Sequence, residues 1–135
     1  MSKCFKSVRR VTTMYPQLEN RRLLASVALQ VQGTEEEDVI RVSTDGTTIT
    51  TFVNGVTETF SDATVTEIFI DALAGGDFVF LDGNSDNPTT INGGSGNDEF
   101  DIATASGNLA LIQSPLTIIG GDDNDNLRMS DSQDN

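Results

Sequence analysis

The groups with which this chain can do chemistry are carboxylates. It carries 21 Asp and Glu against 8 Lys and Arg, no His and one Cys, for a formal net charge of −13. Zinc fingers, Ser-His-Asp hydrolases and Cys-His nucleophiles each require a residue type the chain lacks or cannot pair. With Cys4 as the only cysteine, an internal disulfide is impossible. The acids are not scattered. An Asp followed by two apolar residues at alternate positions recurs as Asp38-x-Ile40-x-Val42, Asp77-x-Val79-x-Leu81, Asp98-x-Phe100-x-Ile102 and Asp125-x-Leu127-x-Met129. The last two are preceded by Gly93-Gly94-Ser95-Gly96-Asn97 and Gly120-Gly121-Asp122-Asp123-Asn124. A carboxylate fixed beside a glycine-rich turn offers hard oxygen donors, side-chain and main-chain together, and the chemistry that suits them is the binding of a hard cation. The same turns also read as architecture, with the aspartates capping backbone N–H groups.

The elements that must position these residues are strands. From Val39 onward the chain is rich in Thr, Val, Ile and Phe, interrupted at short intervals by Asp-Gly, Asn-Gly or Gly-Gly. Strands are expected at Val39–Ser43, Thr47–Val53, Val56–Phe60, Val65–Ile70, Phe78–Leu81, Thr89–Ile91, Phe100–Ala103, Leu109–Ile112, Leu116–Ile119 and Leu127–Met129. Thr44-Asp45-Gly46 and Asn54-Gly55 predict hairpin turns, hence an antiparallel meander over the first three. The repeated aspartates are separated by 39, 21 and 27 residues. Such steps suit one coil of a stacked repeat each, with the longest gap holding either two coils or one coil and a hairpin. The expected fold is all-β, a short right-handed parallel β-helix or β-solenoid, with the meander before it.

The run Gly93-Gly94-Ser95-Gly96-Asn97-Asp98-Glu99-Phe100-Asp101 resembles the hemolysin-type (RTX-like) calcium-binding repeat, Gly-Gly-x-Gly-x-Asp-x-apolar-x. Gly120 to Arg128 resembles it with Asp123 in place of a glycine; the units around Asp77 and Asp38 keep less of the pattern. The two best motifs stand 27 residues apart, where the family has tandem nonapeptides. The resemblance implies Ca²⁺ held between stacked coils by the carboxylates of Asp98 and Asp125, with carbonyls from Gly94, Ser95 and Gly96 and from Gly121, Asp122 and Asp123. The clusters Asp82-Gly83-Asn84-Ser85-Asp86 and Asp122 to Asn126 open like EF-hand loops but lack the glycine at position six and the glutamate at position twelve. The first keeps the expectation of a loose surface calcium site at Asp82, Asn84 and Asp86.

Charge divides the chain in two. Residues 1–32 carry Lys3, Lys6, Arg9, Arg10, Arg21 and Arg22 against Glu19 alone, whereas residues 33–135 carry only Arg41 and Arg128 against all the other acids. The first part is read as a basic, flexible or helical targeting leader and the second as an acidic repeat domain that repels nucleic acid. Leu23 to Leu29 has the apolar character of a short signal core, or alternatively ends a helix beginning near Gln17. The block Leu18-Glu19-Asn20-Arg21-Arg22-Leu23-Leu24-Ala25 resembles the Leu-Glu-Pro-Arg-X-Leu-Leu motif near the N-termini of exported planctomycete proteins, with Asn20 for Pro. That resemblance implies export to the cell surface or beyond. No run is long and apolar enough to span a bilayer as a helix.

A catalyst is not expected. Paired carboxylates can hydrolyse glycosides, but the acidic part has only two bases, no Trp, and no Tyr outside the leader. The function expected is that of an exported, calcium-binding structural or surface module with calcium ions as partner, the identity of any protein or polysaccharide surface partner being unknown. The alternative is a calcium-independent adhesion or scaffold fragment of a larger repeat protein.

Overall fold

The computed structural model describes residues 8–11, 26–103 and 105–132, which form two sheets and two short 3-10 turns. The first sheet contains β1 (Val8–Val11), β2 (Val27–Gln32), β6 (Val65–Asp71), β8 (Thr89–Ser95) and β10 (Leu116–Asp122) in that spatial order. The second runs β11 (Asn126–Met129), β9 (Glu99–Ile102), β7 (Phe78–Leu81), β3 (Val39–Thr44), β4 (Thr48–Val53) and β5 (Val56–Ser61). The all-β expectation holds at this level.

Pairing is parallel along β2-β6-β8-β10 and along β3-β7-β9-β11. It is antiparallel only where β1 joins β2 and where the hairpins join β3 to β4 and β4 to β5. Four times the chain passes from a strand of the first sheet, through a turn ending in one of the repeated aspartates, into a strand of the second. Of the two readings of the longest gap, the structure takes the hairpin: β4 and β5 fill it. Asn54 and Gly55 have φ of 48° and 94°, the two positive values that let a two-residue turn follow the twist of its strands.

Because side chains alternate along a strand, parallel register aligns like with like. Ile40, Val79, Phe100 and Leu127 form one column between the sheets, and Val42, Leu81, Ile102 and Met129 the next. Opposite them stand Leu29, Ile68, Thr89 and Leu116, then Val31, Ile70, Ile91 and Ile118. The first three members of every column are almost wholly buried. Filling a side chain such as Phe100 or Ile91 into this layer contributes roughly 1.5–3 kcal/mol.

Three segments depart from expectation. Val8–Val11, in the leader expected to be flexible or helical, is a strand that pairs antiparallel with β2. Leu109–Leu111 is a 3-10 turn in place of a strand; the Asn108 side chain caps it, accepting from Ala110 N–H at 3.0 Å. Val27–Gln32, assigned to the leader, is instead a central strand with Val27, Leu29 and Val31 buried and the residues between them half-buried. Its period-two pattern is masked by the apolar run Leu23 to Leu29, which reads equally as a signal core or a helix face. The leader's motif block Leu18 to Ala25 lies outside the described residues. Among the described residues, no helix is long and apolar enough to cross a membrane.

Candidate functional site

The turns that carry the chain from the first sheet to the second lie one above another, and their aspartates form a ladder. Asp38 N–H donates to Oδ1 of Asp77 at 2.8 Å, Asp77 N–H to Oδ1 of Asp98 at 2.9 Å, and Asp98 N–H to Oδ1 of Asp125 at 3.0 Å. The spacing in sequence varies, yet the aspartates meet, because the variable length is taken up in the return segments and the turn itself keeps its size. A turn amide sealed between two sheets needs an acceptor, and the next carboxylate supplies it.

Glycine lets the turns approach this closely. Gly94, with φ of 101°, lies against the Leu73 carbonyl of the preceding turn, and a Cβ there would overlap that oxygen. Gly121 stands in the same relation to the Gly94 carbonyl. Five residues before their aspartates, Gly33, Gly93 and Gly120 leave the space into which Oδ2 of Asp38, Asp98 and Asp125 projects. Gly33 is the feature of the first turn that the motif comparison passed over; its offset from Asp38 matches that of Gly93 and Gly120 from theirs.

The four carboxylates have unequal surroundings. Asp38 is saturated: Thr34 donates its N–H to Oδ2 at 2.6 Å and its hydroxyl to Oδ1 at 3.0 Å, and the Asn54 side-chain amide also donates to Oδ1. The sequence marks Asn54 only as a turn residue and Thr34 not at all, since their role at Asp38 depends on the hairpin returning beside the turn. Asp77 and Asp98 are buried, and Oδ2 of each has no hydrogen-bond partner among the described residues. Desolvation, with the neighbouring charges of Asp38, Asp98 and Glu37, pushes the Asp77 carboxyl up to about 7. Desolvation, with the charges of Asp125 and Asp123, also raises Asp98 above the usual carboxylate range. The hydrogen bond from the turn amide opposes the rise in both.

The residues expected to bind calcium are brought together as two stacked turns. Gly94 pairs with Gly121 and Ser95 with Asp122 in parallel register, and Asp98 meets Asp125 through the ladder bond. The 27-residue separation therefore corresponds to adjacent levels, with no intervening nonapeptide required. Gly121, Asp122, Asp123 and Asp125 are exposed, whereas Asp98 is buried. The Ser95 carbonyl accepts from Gly75 N–H at 2.9 Å, so it is already engaged. Among the described residues, no three Asp, Glu, His or Cys side chains converge so as to hold a metal ion. A cation at these turns would therefore draw on one or two carboxylates and main-chain oxygens.

The second acidic cluster has a different use. Asn84 is fully buried; its Oδ1 accepts from Gln113 N–H at 2.8 Å and Ser114 N–H at 3.1 Å, while its amide donates to the Ser114 carbonyl at 3.0 Å. Asp82 accepts from Ser106 N–H at 3.3 Å. Two of the three residues expected at a loose surface calcium site thus fasten the return segment before β10. Comparison of the chain with protein-family models, with curated proteins and with solved structures finds no match to any of them.

Proposed function

We propose that this chain is an exported structural module, a short right-handed β-solenoid without catalytic activity, whose stacked acidic turns take up Ca²⁺. The observation that carries the reading is the column Asp77, Asp98 and Asp125. In it Oδ2 of buried Asp77 and of buried Asp98 has no hydrogen-bond partner among the described residues, and Asp125 stands exposed at the next level, in an acidic body whose natural small partner is a cation. Asp98 and Asp125 would supply carboxylates, and Gly94, Ser95, Gly96, Gly121, Asp122 and Asp123 carbonyls, as the hemolysin-type resemblance implies. Calcium bound there offsets part of the mutual repulsion of the acids, so part of the folding free energy becomes binding free energy. The basic leader and its export-associated motif support a place at the cell surface or outside the cell, where the sheet faces would meet a protein or polysaccharide partner.

A second reading, a calcium-independent adhesion or scaffold fragment of a larger repeat protein, is favoured by one specific observation. Oδ1 of Asp77, Asp98 and Asp125 each already accepts a turn amide. Thermal melts of the full chain after EDTA treatment, followed by far-UV circular dichroism with CaCl₂, MgCl₂ or NaCl, separate the two. The calcium reading expects millimolar CaCl₂ to raise Tm well beyond NaCl of equal ionic strength. Equal effects of the two salts would mean that screening suffices and would leave the scaffold reading.

A further inference from the structure

The outer face of the second sheet differs in charge from the rest of the chain. Between residues 33 and 135 the bases are Arg41 and Arg128, and parallel register sets both in one outward row, Arg41, Phe80, Asp101 and Arg128. The acids that the strands place on this face are Glu99 and Asp101, and Arg128 holds both, at 2.8 and 2.9 Å. Bases therefore balance acids here, in a chain of net charge −13. Arg41 is exposed and forms no ion pair among the described residues. Its guanidinium lies over the Phe80 ring, 4.2 Å from the ring centre, a contact that leaves its N–H donors free. The row runs on from Arg41 to Phe52 on β4 and Thr57 on β5, and Phe78, 37% exposed, stands two residues before Phe80. The neighbouring row is Ser43, Thr50 and Thr59, whose hydroxyls have no hydrogen-bond partner among the described residues.

We infer that this face, centred on Arg41, binds an uncharged polysaccharide chain laid across β5, β4, β3 and β7. Both kinds of sugar surface are served. The rings of Phe52 and Phe78 meet C–H faces, while the Arg41 guanidinium and the row of free hydroxyls meet hydroxyl groups. Neighbouring strands lie about 4.8 Å apart, so each row offers one group per strand at a spacing close to the length of one sugar unit in an extended chain. Charge selects the uncharged class: the acidic body repels a polyanion, and a polycation finds the acids of this face already held by Arg128. A protein partner needs an apolar centre to bury, whereas of these three rings only Phe78 is exposed and free hydroxyls lie beside the others. This site rests on the surface-module reading for its kind of partner and not on calcium, so binding survives EDTA.

Isothermal titration of the full chain in EDTA with cellohexaose, xylohexaose and mannohexaose, beside hexagalacturonate and a chitosan hexamer, tests this. At least one of the three uncharged oligosaccharides should bind at millimolar concentration or below, and more tightly than either charged one. Arg41→Ala and Thr50→Val should each weaken that binding roughly tenfold, while Thr117→Val, exposed on the first sheet, leaves it unchanged. Amide NMR shifts of the unsubstituted chain make the result independent of how the variants fold: the bound oligosaccharide should move those of Val39–Thr44, Thr48–Val53 and Phe78–Leu81 and leave those of Val27–Gln32 in place. Tighter binding of hexagalacturonate or the chitosan hexamer, shifts confined to the first sheet, or no binding of any uncharged oligosaccharide at millimolar concentration would each overturn the inference. Binding in EDTA together with a Tm indifferent to calcium would sustain it and overturn the calcium reading alone.

Discussion

Asp77 and Asp98 are 21 residues apart, yet the backbone N–H of the first donates to the carboxylate of the second at 2.9 Å in a buried setting. The ladder therefore ties each turn to the next through a side chain, in addition to the main-chain bonds of the two sheets. Replacing Asp98 with Ala leaves the Asp77 amide sealed with no acceptor, at a cost of about 1–3 kcal/mol. Asp98→Asn keeps an Oδ1 acceptor and should cost less. Asp45 accepts from Thr47 and Thr48 amides at 2.8 Å in an exposed turn where water can replace it, so Asp45→Ala should cost less than either Asp98 variant. Urea unfolding of the three variants measures the order. If Asp45→Ala is as damaging as Asp98→Ala, the ladder has no special part in stability.

The raised carboxyl of Asp77 makes stability depend on pH in a stated direction. An unfolded Asp holds its proton only to about its ordinary value of 3.8, whereas folded Asp77 holds it to about 7. Between those limits the folded state binds the extra proton, so stability falls as pH rises from about 4 through 7 and levels off above. The loss due to this residue is of the order of 2–4 kcal/mol. Denaturant midpoints between pH 4 and 8 should decline for the native chain and decline less for Asp77→Asn, which cannot ionise at that position, the remainder coming from the likewise raised Asp98. Calcium, if bound at the adjacent turn, should reduce the decline by compensating the charge that forms. A midpoint that rises across this interval in the absence of calcium would contradict the burial of an uncompensated carboxyl.

The glycines of the turns differ in what they avoid. Gly46 and Gly94 both have positive φ, at 92° and 101°, but a Cβ at Gly46 meets nothing within 4 Å, while one at Gly94 overlaps the Leu73 carbonyl. Gly46→Ala should cost about 1–2 kcal/mol from backbone conformation alone. Gly94→Ala adds a backbone collision that only separating the turns can relieve, and should cost at least about 2 kcal/mol more. Thermal or urea unfolding of both variants tests the difference; equal losses would show that the turns have room to move apart.

Much of this arrangement was legible because it depends on local chemistry repeated along the chain. The strand Phe78–Leu81 has the bounds its composition predicts, and the Asp-x-apolar-x-apolar pattern marks the four aspartates that stack. The Asn54-Gly55 turn fixed its hairpin because few residue pairs adopt two positive φ values. What was hidden depended on contacts between distant segments. Asn84 looked like one oxygen donor in a surface cluster until the segment around Gln113 and Ser114 closed on it, and Thr34 and Asn54 acquire their roles only where hairpin and turn meet. Leu109–Ile112 has strand-like composition, but a capping Asn108 and the need to turn back toward β10 make it a 3-10 turn.

The same distinction between local pattern and tertiary use locates where the folded body begins. Drawing the boundary after residue 32 removes β2, whose Leu29 and Val31 are fully buried and whose backbone pairs with β6 from Val27 to Gln32. A chain of residues 33–135 would expose Ile68 and Ile70 along a bare central edge and forfeit roughly 1.5–3 kcal/mol for each buried side chain removed, enough in sum to exhaust the stability of a small domain. A chain of residues 26–135 keeps β2 and, among the described residues, loses only β1 and its pairing with β2. Far-UV circular dichroism and urea unfolding of the two truncations should give a cooperative β-protein for 26–135 and no cooperative transition for 33–135, each measured with and without CaCl₂. Cooperative unfolding of 33–135 equal to that of the longer piece would mean that β2 is an accessory to the sheet and that the folded body begins at β3.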